Sequence, residues 1–247
     1  MRLDSVEIKV TLSSEHVEAA VAEFGLGPDG RRWQIYFCED VVRGNSPATP
    51  LLDAGVVLRA RHRGGDKADA TVKLRPARRS QLSPEWLQMR EGDDWEFKVE
   101  ADWAGDRRVL AASITADRTA TRLDEVRAGQ ASLSRLFHDD QRRFLDSNSP
   151  VRINLDMLTL LPPVAAVRWP EFEAEPKLSL RAERWTVDDL DFLELSAVAD
   201  PEDAPARQTA LHRFVAAHGF PADPGGESKT SRVVGHLVAV SARLPIA

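Results

Sequence analysis

Residues 56–76 read VVLRARHRGGDKADATVKLRP. Taken two at a time, Arg59 and Arg61 fall on one side of a strand, and Lys73 and Arg75 fall on one side of the next. The six residues RGGDKA between them are a turn. The other sides carry Val56, Leu58 and Ala60, then Val72 and Leu74, so each strand has one apolar and one cationic face. Like charges aligned on neighbouring strands repel, and an anion between them would remove that cost. The chain as a whole is acidic, with a formal charge of -6.

The same alternation recurs on both sides of this hairpin. SVEIKVTL places Val6, Ile8 and Val10 opposite Ser5, Glu7 and Lys9. RRWQIYFCED reads as a second strand and DDWEFKVEADW as a fifth, with Glu96, Lys98 and Glu100 on its polar side. Later strand candidates lie around Val151–Leu161, Ala165–Trp169, Lys177–Trp185 and Phe192–Val198. They offer Arg181, Glu183, Glu194 and Ser196 on polar faces. Between β-like segments the period changes. SSEHVEAAVAEF carries a helical stripe of Val17, Ala20, Val21 and Phe24, with Ser14 as N-cap and Gly25 as stop. Residues 121–145 and 204–219 are read as helical, and SRVVGHLVAV suits strand or helix. DPEDAP and PADPGGES are loops too short to separate domains, so residues 1–247 are expected to form one domain.

Several familiar chemistries are absent. GLGPDG at 25–30 has dinucleotide-like glycine spacing, but it follows a helix and contains Pro28, so it reads as helix cap and turn. The six histidines show no zinc spacing. Cys38 is the only cysteine, which excludes an internal disulfide, fits a reducing cytoplasmic setting and suggests a buried inert thiol. The N-terminal residues show no signal-peptide pattern, and no apolar run approaches the roughly 20 residues of a membrane span. Net acidity argues against a nucleic-acid partner.

Any one strand taken alone suggests a solvent-facing polar side. The set does not, because strands three and four are purely cationic on that side while carboxylates gather on strands one, five and the late pair. Cations would bind phosphates, and nearby carboxylates would hold a divalent metal that prefers oxygen ligands.

The succession VEIKV, IYFCED, GVVLRARHR, TVKLRP, FKVEAD, ERW and FLELS resembles the CYTH superfamily of triphosphate tunnel metalloenzymes, over about residues 5–232. It looks closest to an actinobacterial-type branch labelled adenylate-cyclase-like. The resemblance implies an α+β fold: a closed eight-stranded antiparallel barrel whose lumen is a charged tunnel, with helices outside. It implies hydrolysis of inorganic or organic triphosphates with Mg²⁺ or Mn²⁺, and in a minority of members cyclisation of ATP. By residue, it implies that Lys9, Arg59, Arg61, Lys73, Arg75, Arg181 and Lys229 contact phosphate. Glu7, Glu194 and Glu183 would hold metal, and Glu100 would act with Lys9 and Lys73 in catalysis. The chain departs from the pattern at Ser5 and Ser196, where carboxylates are expected, and at Lys98, where an acid is common. A thinned metal site makes a non-catalytic polyphosphate- or nucleotide-binding module the alternative.

Overall fold

A computed structural model describes residues 3–41, 48–88, 91–221 and 227–243. The strands are β1 (Ser5–Ser13), β2 (Arg31–Glu39), β3 (Val56–His62), β4 (Lys67–Leu74), β5 (Trp95–Ala104) and β6 (Arg107–Thr119). They continue with β7 (Thr159–Leu160), β8 (Val164–Arg168), β9 (Phe172–Glu175), β10 (Leu178–Val187) and β11 (Leu190–Ala199). The helices are α1 (Ser14–Glu23), α2 (Pro50–Asp53), α3 (Ala120–Arg127), α4 (Asp139–Asn148), α5 (Ala204–Ala217) and α6 (Lys229–Arg243). Residues 222–226 of the expected PADPGGES loop lie outside the described residues.

Nine strands close a barrel in the order β11-β1-β5-β6-β4-β3-β2-β8-β10, with β10 pairing back to β11. β9 flanks β10, and β7 flanks β2. The expected count was eight and the expected pairing wholly antiparallel. Instead β1 runs parallel to β5, with Ser5 opposite Glu100 and Lys9 opposite Ala104. Parity explains the difference: a ring with an odd number of strands cannot alternate direction throughout, so at least one neighbouring pair must be parallel. The added strand is β6, which no alternation announced. Its Ala111, Ala112 and Ala116 are small, weak strand formers, yet they are buried, and the strand pairs along its length with β4 and β5.

The barrel wall buries its outer face. Along β1, residues alternate between buried outward positions and partly open inward ones. Val6, Ile8, Val10 and Leu12 pack beneath α1 and α5 with Val17, Ala20, Leu211, Phe214 and Val215. On the opposite wall, Val72, Leu74, Phe97, Val99 and Ile114 pack against Leu123 and Val126 of α3 and Phe144 and Leu145 of α4. The helical stretch expected at 121–145 is therefore two helices joined through a 3₁₀ turn at Leu133–Leu136. Gln141 of α4 is fully buried, and its amide donates to the carbonyls of Ala70 (2.8 Å) and Ile114 (3.0 Å), tying the helix to β4 and β6.

Two sequence-level expectations change. Val151–Leu161 is not a strand: it holds a 3₁₀ turn at Leu155–Met157 and only the two residues of β7. SRVVGHLVAV resolves as helix, within α6. Its Val233, Val234, Leu237 and Val238 pack on Phe37, Trp185 and Phe192. Phe37 and Trp185 belong to the cavity lining, so α6 covers the lumen at that end. The helix-cap reading of Gly25 agrees with its φ of 61°. Ser14 stands one residue inside its helix rather than at the cap, and its hydroxyl is in contact with the backbone of Asp191.

The opening stretch folds as read. Gly64 and Gly65, with φ of 99° and 56°, take the left-handed turn between β3 and β4. That turn fixes a register placing Arg59 opposite Thr71 and Arg61 opposite Asp69. At the far end Gly55 has φ of 77°, and its carbonyl accepts from the Arg75 amide at 2.7 Å; a side chain there would press on the Arg75 carbonyl at 3.1 Å.

Candidate functional site

The inward faces enclose a cavity of about 530 Å³. Glu7, Lys9, Arg59, Arg61, Lys73, Arg75, Glu100, Arg181, Glu183, Glu194 and Lys229 all line it. They come from both ends of the chain and from β1, β3, β4, β5, β10, β11 and α6. The closed ring brings them together, because each strand contributes its alternate residues to the same interior.

The lumen is not lined by bare cations. Asp102, the next inward residue after Glu100 on β5, is 1% exposed and accepts three ion pairs. These are Lys9 at 3.2 Å, Lys73 at 3.1 Å and Arg75 at 2.9 Å. Burial works against its charge, but these three cations hold the carboxyl well below the usual carboxylate range. Asp69 on β4 is buried likewise and pairs with Arg61 at 2.9 Å and Arg63 at 3.2 Å. The reading of β4 as purely cationic on its inner side is thus corrected. Much of the expected repulsion is relieved by carboxylates set into the wall behind the cations. Both aspartates were accessible to the alternation rule, since position 69 continues the series of 73 and 71, and position 102 the series of 98 and 100.

Arg59 is the exception. No carboxylate lies within ion-pair distance of it among the described residues. One guanidinium nitrogen reaches only the Thr71 hydroxyl, at 3.4 Å, and its Nε is buried without a hydrogen-bond partner. Burial, with Arg61 adding to it, pulls the guanidinium down to about 10. Lys73 is also lowered by burial, although Asp102 opposes the shift. Lys9 goes the other way: burial would lower it, but Glu7, Asp102 and Glu194 outweigh burial and raise it. Arg107, which sequence reading did not select, lines the cavity too, and burial and nearby Arg75 lower its guanidinium.

The carboxylate side is organised around two lysines. Lys9 meets Glu7 at 2.7 Å. Lys229, at the start of α6, is nearly buried and lies 3.3 Å from Glu194 and 3.9 Å from Glu183. Its ammonium stands 4.0 Å from the centre of the Trp185 ring, whose indole N–H donates to Glu183 at 2.8 Å. Burial would raise Glu183, but Lys229, the Trp185 bond and Arg59 bring it below its ordinary value. Glu100 is raised by burial and by Glu7, and it accepts a 3.2 Å bond from Ser5, the residue standing where a further carboxylate was expected. Lys98 pairs with Glu96 at 2.9 Å near the open rim. Arg181 is half-exposed and pairs with Glu171 at 3.0 Å.

Among the described residues, no three of His, Cys, Asp or Glu are grouped to hold a metal. Glu7, Glu183 and Glu194 each have a lysine beside them. This donor set does not suit an ion held by protein alone. It suits one that takes one or two carboxylates and draws its other ligands from phosphate oxygens and water, as Mg²⁺ commonly does. Cys38 is buried and its thiol is pushed up by burial, as expected of an inert position. His212, which sequence reading did not select, lines the cavity.

No protein-family model matches the chain, and no curated protein matches it significantly. Solved structures do share its fold. An adenylate cyclase candidate from Bacillus halodurans superposes with a TM-score of 0.57 at 12% identity, over 93% of this chain and 97% of that one. The adenylyl cyclase candidate HpAC1 from Hippeastrum, described as having a dominant triphosphatase activity, gives a TM-score of 0.57 at 17% identity, over 98% of each chain. At such identities the likeness is one of fold.

Proposed function

We propose that the barrel binds a triphosphate, inorganic or organic, and hydrolyses a phosphoric anhydride bond. The observation that carries this reading is Arg59: a half-buried guanidinium with a buried, unbonded Nε and no carboxylate within ion-pair distance among the described residues, facing the same cavity as Arg61, Lys73 and Arg75. A charge drawn partly out of water without a direct ion pair is costly, and a phosphate group is the anion whose geometry suits an arginine fork. Asp102 keeps Lys9, Lys73 and Arg75 in fixed positions before the ligand arrives, so less ordering is left to binding. The HpAC1 activity supports hydrolysis on this fold.

In this reading Arg59, Arg61, Lys73 and Arg75 orient the phosphates. Glu100, with its raised proton affinity, accepts a proton from the attacking water. The water oxygen bonds to the terminal phosphorus as the bridging P–O bond breaks, and the negative charge leaves on the departing phosphate oxygen. Glu7 and Glu194, with Glu183 beside them, would contribute carboxylate oxygens to Mg²⁺ or Mn²⁺. When bound, the ion would neutralise charge on the phosphates.

The test is purified protein with Mg²⁺ or Mn²⁺, tripolyphosphate and a panel of nucleoside triphosphates. Phosphate, pyrophosphate and cyclic AMP are each quantified. Phosphate release that Glu194→Ala reduces at least tenfold in a chain that still unfolds in one cooperative transition supports the reading. A second reading, binding without turnover, is favoured by the lysines that already occupy the carboxylates. Tight triphosphate binding without any product would establish it. Cyclic AMP with pyrophosphate would instead assign the activity by which both neighbours are named.

A further inference from the structure

A second cavity, of about 330 Å³, opens beside the rim of the barrel, and Arg181 and Ser196 line both it and the main cavity. The two spaces therefore meet across these residues, which face each other on β10 and β11. Lys177 and Arg207 complete the cationic side of the smaller cavity, and Glu171, the partner of Arg181, is its carboxylate. Neither Lys177 nor Arg207 has a carboxylate within ion-pair distance among the described residues. Lys177 sits in the turn between β9 and β10 with a φ of 69°, a conformation glycine would hold more comfortably. Val198, 44% exposed, also lines this space.

Ser196 gains a meaning here. It is the next inward residue after Glu194 on β11, and it stands at the passage between the two spaces. A carboxylate there would place a negative charge in the path of any anion continuing outward. A serine leaves that path neutral and supplies a hydroxyl that can donate.

We infer that the rim cavity is an extension subsite for linear inorganic polyphosphate longer than three units. The lumen would hold one end of the chain, and Lys177, Arg181 and Arg207 would hold the phosphates that continue past Ser196. This rests on the triphosphate reading for the inner site, but it turns on Lys177 and Arg207, which that reading does not use. Each additional phosphate carries another negative charge past Lys177 and Arg207, which no carboxylate pairs among the described residues, so affinity rises with chain length.

The test is calorimetric titration with tripolyphosphate, tetrapolyphosphate and a longer linear polyphosphate at matched ionic strength. It uses the wild-type chain, the double variant Lys177→Ala/Arg207→Ala, and Lys177→Arg. The wild type should bind the longer chains roughly three- to tenfold more tightly than tripolyphosphate, the gain expected of two partly exposed cations. The double variant should keep its tripolyphosphate affinity and lose that gain; Lys177→Arg should retain it. Equal affinity for all lengths, or a length advantage that survives the double variant, overturns the inference and leaves the inner site intact. If tripolyphosphate fails to bind but longer chains bind through Lys177 and Arg207, the subsite stands and the triphosphate reading falls. If no length binds, both fall.

Discussion

Two charges in the lumen wall, Asp102 and Arg59, should respond in different ways to removal. Asp102 compensates three cations, so Asp102→Asn leaves Lys9, Lys73 and Arg75 facing one another. Losing one partner of a buried ion cluster costs about 3 kcal/mol or more, and we expect the melting temperature to fall by roughly 6–12 °C at this chain size. Arg59 has no carboxylate within ion-pair distance among the described residues, and Glu183 keeps Lys229 and the Trp185 bond without it, so Arg59→Ala should cost the free protein little stability, while most of the thermal shift produced by tripolyphosphate disappears. Differential scanning fluorimetry with and without ligand reads both; an Arg59→Ala chain that melts far lower while still responding fully to ligand contradicts the assignment. Acid dependence follows from the same groups. The Asp102 carboxyl is held below its unfolded value, so its stabilisation is complete above about pH 4. That contribution is progressively lost as pH falls from there through its folded value, and Asp102→Asn should flatten this acid limb. Glu100 is shifted upward, so a reaction that uses it as base should gain rate through a pH above the roughly 4.3 of a free glutamate. Glu100→Gln should remove most of the activity across the whole profile.

At the scale of elements, α6 joins packing to chemistry. Its Val233, Val234, Leu237 and Val238 cover Phe37, Trp185 and Phe192, while its first residue, Lys229, reaches Glu194 inside the lumen. Val234→Asp places a charge in that apolar contact and should cost several kcal/mol locally. We expect a shift in tryptophan emission together with weaker tripolyphosphate binding; a change in one without the other would separate the plug from the site. Alternation made most of the wall legible. β1, β3, β4 and β5 announced themselves because apolar and charged residues exchange places, and every charged residue chosen from their polar faces does line the lumen. β6 stayed silent because alanine fills its buried outward positions 112 and 116, and alanine favours helix over strand. Asp69 and Asp102 were passed over for another reason. A lone acid beside cations reads as surface balance, and only the register of neighbouring strands shows that it stands behind them. The lysine–carboxylate pairing around Lys229 was not legible at all, since it joins α6 to strands more than thirty residues earlier.

Across the whole molecule, closure depends on strands from opposite ends of the described chain: β1 pairs with β11 from Val6–Ala199 to Ser13–Phe192. That ladder ties the wall under α1 and α5 into the same ring as the wall under α3 and α4, so we expect a single calorimetric unfolding transition. Two resolved transitions, only one of them moved by tripolyphosphate, would divide the chain into separate units. Such long-range pairing also predicts folding on the slow side of the range for single domains. The same seam has a mechanical consequence. Val6 and Ala199 face each other at one end of the β1–β11 ladder, and the chain leaves that end in both directions. Once α5 and α6 have been drawn off, a stretching force applied through the two termini meets this ladder in peeling geometry, breaking its hydrogen bonds one after another instead of shearing them together. Held in an optical trap, the barrel should therefore open at low force from the seam between its first and last strands. A polyanion in the lumen, bridging the strands on either side, should raise that force.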